Sequence, residues 1–321
     1  MILAPMQGLT EVLFRRVYEE CFPGAIELAV SPFLSLTHGN LAEAWKKIDD
    51  VLPEENVGSI PVIPQILGKE SEEFVELGNR LYDLGYSEIN WNMGCPMRKV
   101  TGKHRGSGIL PYPDEVRAIL DNIVPRLKPR LSVKMRMGLR SKEEIFALVP
   151  IINTYPIASV TIHPRLGRQQ YNGIPDLETF GQVLPLFKAP VIYNGDICTA
   201  GDAKRIRERF PQVADIMVGR GILYHPTLPL EISGQWPVSG GNVADKAALS
   251  ALNLQLSTRF ISRLVEEIER RLPTEQSKLR KTKEYWCLLW KELPISETEA
   301  RTVLHEQDYE TVKKKIFAFI Q

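Results

Sequence analysis

The chain has few of the residues that would define several protein classes. Only four cysteines occur in 321 residues, Cys21, Cys95, Cys198 and Cys287, and no two of them form a C-x-x-C pair. That spacing excludes a disulfide scaffold and a zinc-finger framework, and no metal site is expected. An excess of one charge is also lacking, since 40 Lys and Arg stand against 39 Asp and Glu. A wholly basic nucleic-acid binder is excluded, whereas a local basic patch is not. No apolar run reaches the roughly 18 residues of a membrane span. The opening residues, MILAPMQGLT, have no basic start and do not read as a secretory leader. Together these absences predict a cytoplasmic protein with no membrane contact. No G-x-G-x-x-G follows the first strand candidate, so a Rossmann dinucleotide site is not predicted.

What is present is a regular alternation of strand and helix. Short apolar runs predict strands at Met1–Met6, Ala25–Val30, Ile60–Leu67 and Glu88–Met93, then Leu131–Met137, Ala158–His163, Pro190–Tyr193 and Asp215–Gly219. Amphipathic stretches predict helices at Glu11–Cys21, Ser71–Leu84, Asp114–Leu127, Lys142–Asn153, Pro175–Phe187 and Ala200–Phe210. Eight strands in β–α order suit a (β/α)8 TIM barrel. An open doubly wound sheet shares the alternation. The barrel is favoured because Met6, Gln65, Asn92, Cys95, Lys134, His163, Asn194 and Gly219 all fall at or just past strand C-termini. A barrel brings those ends to one mouth.

The alternation stops after Pro226. The stretch Ser233–Gly241 (SGQWPVSGG) reads as a linker, and Val243–Gln321 is purely helical in pattern, predicting a bundle of three to five helices. The expected division is a barrel over residues 1–235 and a small C-terminal helical bundle domain over residues 236–321.

Four segments carry residues suited to chemistry. Asn92-Met93-Gly94-Cys95-Pro96 follows a strand, and its Gly and Pro display Cys95 on a turn. The loop beyond is basic, with Arg98, Lys99, Lys103 and Arg105, and could close over a polyanion. Lys134 and Arg136 lie two apart in an apolar strand, where an unpaired cation is costly. They read either as buried ion-pair partners or as cations facing an electron-rich cofactor. His163 ends a strand and opens a loop containing Arg165. Finally, Asn194-Gly195-Asp196 and Gly219-Arg220-Gly221 follow the seventh and eighth strands, where barrels often bind phosphate.

In order and spacing these motifs, with Ala4-Pro5-Met6, Gln65, Gly68 and Gln169, resemble the tRNA-dihydrouridine synthases over about Ile2 to Pro226. The resemblance implies an FMN-bound barrel that reduces the C5–C6 double bond of selected uridines in tRNA, with NADPH or NADH as electron source. It implies that Ala4, Pro5 and Met6 line the flavin ring, Gln65 and Lys134 meet its polar edge, and His163 faces it. Asn194, Gly195, Asp196, Gly219 and Arg220 would take the phosphate. Cys95 would act as general acid at C5, and Asn92 would bond the base. Asn90, Arg136, Arg165 and the Arg98–Arg105 loop are expected on the substrate side. The sequence departs from the family pattern at Asn90, Pro164 and Leu166. The alternative is another FMN-barrel oxidoreductase acting on a free pyrimidine or small enone. In the tail, Arg270-Arg271 and Lys278–Lys283 concentrate cations, so Arg280, Lys281 and Lys283 are expected to bind tRNA. The expected assembly state is a monomer.

Overall fold

The computed structural model describes residues 1–36, 41–235 and 246–320. Most of the expected linker, and the predicted start of the tail at Val243, lie outside the described residues. The strands are β1 (Ile2–Leu3), β2 (Leu28–Ser35), β3 (Val62–Leu67), β4 (Glu88–Met93), β5 (Arg130–Gly138), β6 (Ile157–Leu166), β7 (Val191–Tyr193) and β8 (Asp215–Val218). They run parallel and close into a barrel in chain order, β1 joining β8 through Ile2–Met217 and Leu3–Val218. The closed barrel, and not the open sheet, is therefore the architecture. No helix among the described residues is long and apolar enough to cross a membrane.

Helices follow the strands, the long ones on the outer wall. They are α1 (Val12–Cys21), the short α2 (Leu41–Trp45), α3 (Ser71–Asp83), the one-turn α4 (Arg98–Thr101), α5 (Pro113–Ile123), α6 (Glu144–Ile152), α7 (Leu177–Val183) and α8 (Ala200–Arg209). Each long one forms because its apolar residues share a stripe. On α3, Phe74, Leu77 and Leu81 are buried while Glu72 and Glu73 stay out, and Gly85 just beyond takes a φ of 104° that ends the run. On α8 the Thr199 hydroxyl and the Asp202 carboxylate satisfy each other's backbone N–H groups at the start.

Three strands differ from expectation: β6 runs on past His163 to Leu166, so His163 and Arg165 lie within the strand and not at its end. β1 is only two residues long, because Pro5 and Thr10 peel the chain away. The Thr10 hydroxyl donates to the Ala4 carbonyl (2.9 Å) and accepts from the Met6 N–H (2.8 Å), building a turn at the mouth. β2 runs on through Pro32 to Ser35, with a register shift between Val30 and Phe33 that absorbs the proline. In the connection from β2 to β3, unassigned from the sequence, Asp50 and Asn56 reach Arg15. That arginine is fully buried, bound to Asp50 (3.3 Å), the Thr10 carbonyl (2.9 Å) and Asn56 (2.9 Å).

After β8 come α9 (Arg220–Tyr224) and α10 (Leu228–Ser233). The described tail has four helices, within the expected range: α11 (Lys246–Arg271), α12 (Glu275–Leu289), α13 (Glu297–His305) and α14 (Tyr309–Ile320). Helix α11 lies along α1, with Phe260 seated among Phe14, Tyr18 and Phe22 at ring distances of 5.5, 5.7 and 5.6 Å. Helix α12 reaches the first barrel loop, where the Tyr285 hydroxyl donates to the Leu9 carbonyl (2.7 Å).

Candidate active site

Strand register sets the site. Asn92 of β4 lies beside Lys134 of β5, and Arg136 of β5 lies beside His163 of β6. These side chains meet residues from the ends of β1, β7 and β8 at the C-terminal mouth. Two cavities there share Pro5, Met6, Lys134, His163, Tyr171 and Arg220 in their walls. The larger, about 500 Å³, also touches Phe33, Asn92, Cys95, Met97, Lys99 and Arg136. The smaller, about 70 Å³, is walled by Ala4, Asn194, Gly195, Asp196, Gly219 and Arg220.

The Cys95 turn is held from both sides. Its N–H donates to Asn92 Oδ1 (2.9 Å), and its carbonyl accepts from the N–H and the hydroxyl of Ser107, each at 3.0 Å. Gly106 lets the loop fold back this closely. Its φ is 56°, and a Cβ there would lie 2.7 Å from the Cys95 carbonyl oxygen. Burial raises the Cys95 thiol above its ordinary pKa, against the opposing influence of Arg136, Lys99 and Lys134. The sulfur is therefore a protonated thiol at neutral pH.

Lys134 sits at the floor, where it lines both cavities. Burial lowers its pKa to about 7, and the neighbouring Arg136 adds to the effect. An anion placed beside it would restore its charge. Burial also holds His163 well below its usual range, reinforced by Arg136, Lys134, Arg165 and Arg220. Arg165 Nη1 lies 3.2 Å from His163 Nε2. A guanidinium can only donate, so Nε2 is the acceptor and the ring proton belongs on Nδ1.

Asp196 ties the cationic side together. Arg165 Nη1 and Arg220 Nη2 both donate to its Oδ1, at 2.8 and 2.7 Å. Burial alone would raise the Asp196 carboxyl, but these two arginines hold it below the usual range. The wall is tight here: a Cβ on Gly219 would lie 3.3 Å from the Ala4 Cβ and 3.4 Å from the Met6 sulfur. The smaller cavity is thus a glycine-walled recess with cations in excess, suited to an anion.

The structure separates the remaining candidates. Arg136 lines the larger cavity and donates to the carbonyls of Gly94 (3.0 Å), Leu166 (3.0 Å) and Gln170 (2.6 Å), so it ties the loop after β4 to the one after β6. Gln65 and Asn90 are sealed beneath the floor and wall neither cavity. Arg165 is buried behind the recess, bound to Asp196 and the carbonyls of Asn172 and Gly173. Arg105 is also buried and pairs with Glu70 (2.5 Å), so it braces the loop and does not face substrate. Lys99 lines the larger cavity, while Arg98 and Lys103 are exposed beside it.

In the tail, Arg280 is exposed, whereas the other two named cations are half-buried. Lys281 is bound to the Gly8 carbonyl and to Glu11 (2.9 Å), and Lys283 donates to the Glu306 carbonyl. Arg270 and Arg271 both pair with Glu267 at 2.6 Å. The concentration of cations seen in the sequence is thus largely satisfied within the protein.

Tyr171 was missed as a site residue. Its ring walls both cavities, with Arg220 at 4.7 Å and Arg136 at 5.6 Å from its centroid. Nothing local marks it, since the two arginines arrive from β5 and α9.

Fold and mouth together define a (β/α)8-barrel enzyme with a polar-floored substrate cavity and an adjoining anion recess. The chain belongs to the dihydrouridine synthase family and is an oxidoreductase of that family: the family model described as Dihydrouridine synthase (Dus) matches residues 2–315. A probable tRNA-dihydrouridine synthase of Rhodobacter capsulatus is 30% identical over 225 residues, covering 69% of this chain and 67% of the relative. Another from Rhizobium leguminosarum is 31% identical, covering 70% and 69%. The tRNA-dihydrouridine synthase B of Pasteurella multocida is 30% identical, covering 71% and 67%. Among solved structures, morphinone reductase superposes with a TM-score of 0.53 at 13% identity, over 77% of this chain and 88% of that one. The old yellow enzyme homologue from Zymomonas mobilis gives 0.54 at 10% identity, over 76% and 90%. These two likenesses concern the fold alone.

Proposed function

We propose that this chain is a cytoplasmic, monomeric tRNA-dihydrouridine synthase that works with FMN and takes its electrons from NADPH or NADH. Family membership supports the reaction class, and the names of the three relatives support tRNA as substrate. The observation that carries the reading is the placement of Cys95, with its thiol kept protonated, in the same cavity as Lys134.

The residues present fit the flavin nucleotide. The recess offers Arg220 and the Asn194–Asp196 and Gly219 backbone to a phosphate, and the absence of a Cβ at Gly195 and Gly219 leaves that backbone uncrowded. Ala4, Pro5 and Met6 would wall the ring, and Lys134 would meet its electron-rich edge as a cation. When bound, the flavin supplies hydride for C6 of the uracil. Cys95 gives its proton to C5 from its position on the turn, and solvent later restores the thiol. His163, neutral and held by Arg165, keeps a donor on Nδ1 without adding charge. Lys99, Arg98 and Lys103 lie at the rim, where they would meet the phosphates flanking an extruded base. The described tail offers Arg280 as a further contact.

Two measurements test this. The purified protein should show the two visible absorption bands of oxidised flavin, and NADPH should bleach them. Unmodified tRNA incubated with it should then contain dihydrouridine by nucleoside mass spectrometry. A flavin-loaded protein that reduces a free enone but leaves tRNA unchanged overturns the substrate assignment.

A further inference from the structure

Beneath the floor of the mouth, Asn90 is 2% exposed and Gln65 is fully buried. They belong to one continuous line of donors. The Cys95 N–H donates to Asn92 Oδ1 (2.9 Å), as does the Gly94 N–H (3.0 Å). Asn92 Nδ2 donates to Gln65 Oε1 (2.7 Å), and Gln65 Nε2 donates to Asn90 Oδ1 (2.8 Å). Asn90 Nδ2 then donates to Ser132 Oγ (3.0 Å), whose hydroxyl donates to the Ile89 carbonyl (3.2 Å).

The line runs in one direction. Reversing any one amide would face N–H against N–H, or oxygen against oxygen, in a buried place where an unmade bond is costly. The three amide orientations are therefore set together, and the fixed end is the Ile89 carbonyl of the barrel itself. At the other end, both lone-pair sites of Asn92 Oδ1 are used by the turn that carries the thiol.

We propose that Asn90 is a positioning residue. It fixes the Gln65 amide, Gln65 fixes Asn92, and Asn92 holds the Cys95 turn at its height over the mouth. This rests on the reading of Cys95 as the proton donor, but the relay itself is a property of the protein without cofactor or tRNA. Gln65 accordingly acts through Asn92, and the oxygen of Asn92 serves the turn, leaving its second N–H for a base.

The test uses the full chain stripped of cofactor. Iodoacetamide labelling is followed across pH, and the Cys95 peptide is read by mass spectrometry. Asn90→Leu removes the acceptor of Gln65, and Cys95 labelling should speed up several-fold with an altered pH midpoint. Asn90→Asp keeps an acceptor in place and should restore the wild-type rate. Ser132→Ala removes the far anchor and should shift labelling in the same direction, which decides the matter if Asn90→Leu does not fold. Lowered melting temperatures with Cys95 labelling unchanged in the folded variants would make Asn90 a merely structural residue and overturn the proposal. The labelling result stands independently of turnover. If it holds while tRNA is never reduced, it is the proposed function that fails.

Discussion

The ammonium group of Lys281, on α12, donates a hydrogen bond to the carbonyl of Gly8 at 2.8 Å, and so joins the tail to the loop that follows β1. Glu11 accepts from the same ammonium at 2.9 Å. That loop carries Met6 and Gln7 into the mouth. The tail thus supports the wall of the cavity from behind.

Lys281→Met should therefore loosen the first loop. The expected cost is about 1–3 kcal/mol, because a charged, part-buried hydrogen bond is lost and Glu11 is left without its partner. Flavin retention after gel filtration should fall with it. Arg280→Glu should leave melting temperature and flavin content unchanged and weaken tRNA binding. Equal tRNA affinity for Arg280→Glu and wild type across a salt titration would return Arg280 to an ordinary solvated position.

Cys95→Ala should keep its cofactor and fold, since the turn is held by backbone groups that alanine retains. Dihydrouridine formation should drop by about 10²- to 10⁴-fold, as for loss of a general acid. Reduction of the flavin by NADPH, measured by stopped-flow absorbance, should stay at the wild-type rate. Wild-type yields of dihydrouridine from the variant would remove Cys95 from the mechanism.

Lys134 makes a prediction about pH. An unfolded lysine titrates near 10.4, whereas folding lowers Lys134 to about 7. Between those values the unfolded chain binds the extra proton, so through this group stability rises with pH. Lys134→Met removes that contribution. In cofactor-free protein, the melting temperature of the variant minus that of wild type should shrink as pH climbs through the window. A difference independent of pH would show that Lys134 keeps an ordinary pKa.

Asp196→Ala should be the most damaging change at the recess. It leaves the buried Arg165 without its carboxylate, an uncompensated charge of the kind that costs about 3–5 kcal/mol. Arg220→Ala removes a less buried partner of the same carboxylate and should mainly weaken cofactor retention. Chemical denaturation with and without added FMN separates the two. Comparable stability loss in both variants would contradict the distinct roles.

Much of this was legible in the chain because each piece is local. The barrel follows from a repeating βα period, and the displayed thiol from Gly94 and Pro96 on either side of Cys95. What stayed hidden depends on partners far away in sequence. Lys281 reads as one cation in a basic run until Gly8 and Glu11 arrive from the barrel. Arg105 reads as a rim cation until Glu70 buries it. Tyr171 has no motif of its own and gains its place from Arg136 and Arg220. Between β2 and β3, Asp50 and Asn56 read as ordinary surface polars until Arg15 of α1 meets them.

The seat of Phe260 among Phe14, Tyr18 and Phe22 bears on how the protein comes into being. Those three rings belong to the first barrel helix and the residue that ends it, yet their cover is made more than 230 residues later. During synthesis the barrel emerges with a greasy notch open to water, and it stays open until α11 follows. Phe260→Ala, at about 3–5 kcal/mol for an emptied ring site, should leave part of that notch unfilled in the finished protein. A chain stopped after residue 235 should be caught by chaperones or aggregate, and barrel and tail should melt in one calorimetric transition. A single transition would make barrel and tail one cooperative unit, divided by sequence pattern and not by stability.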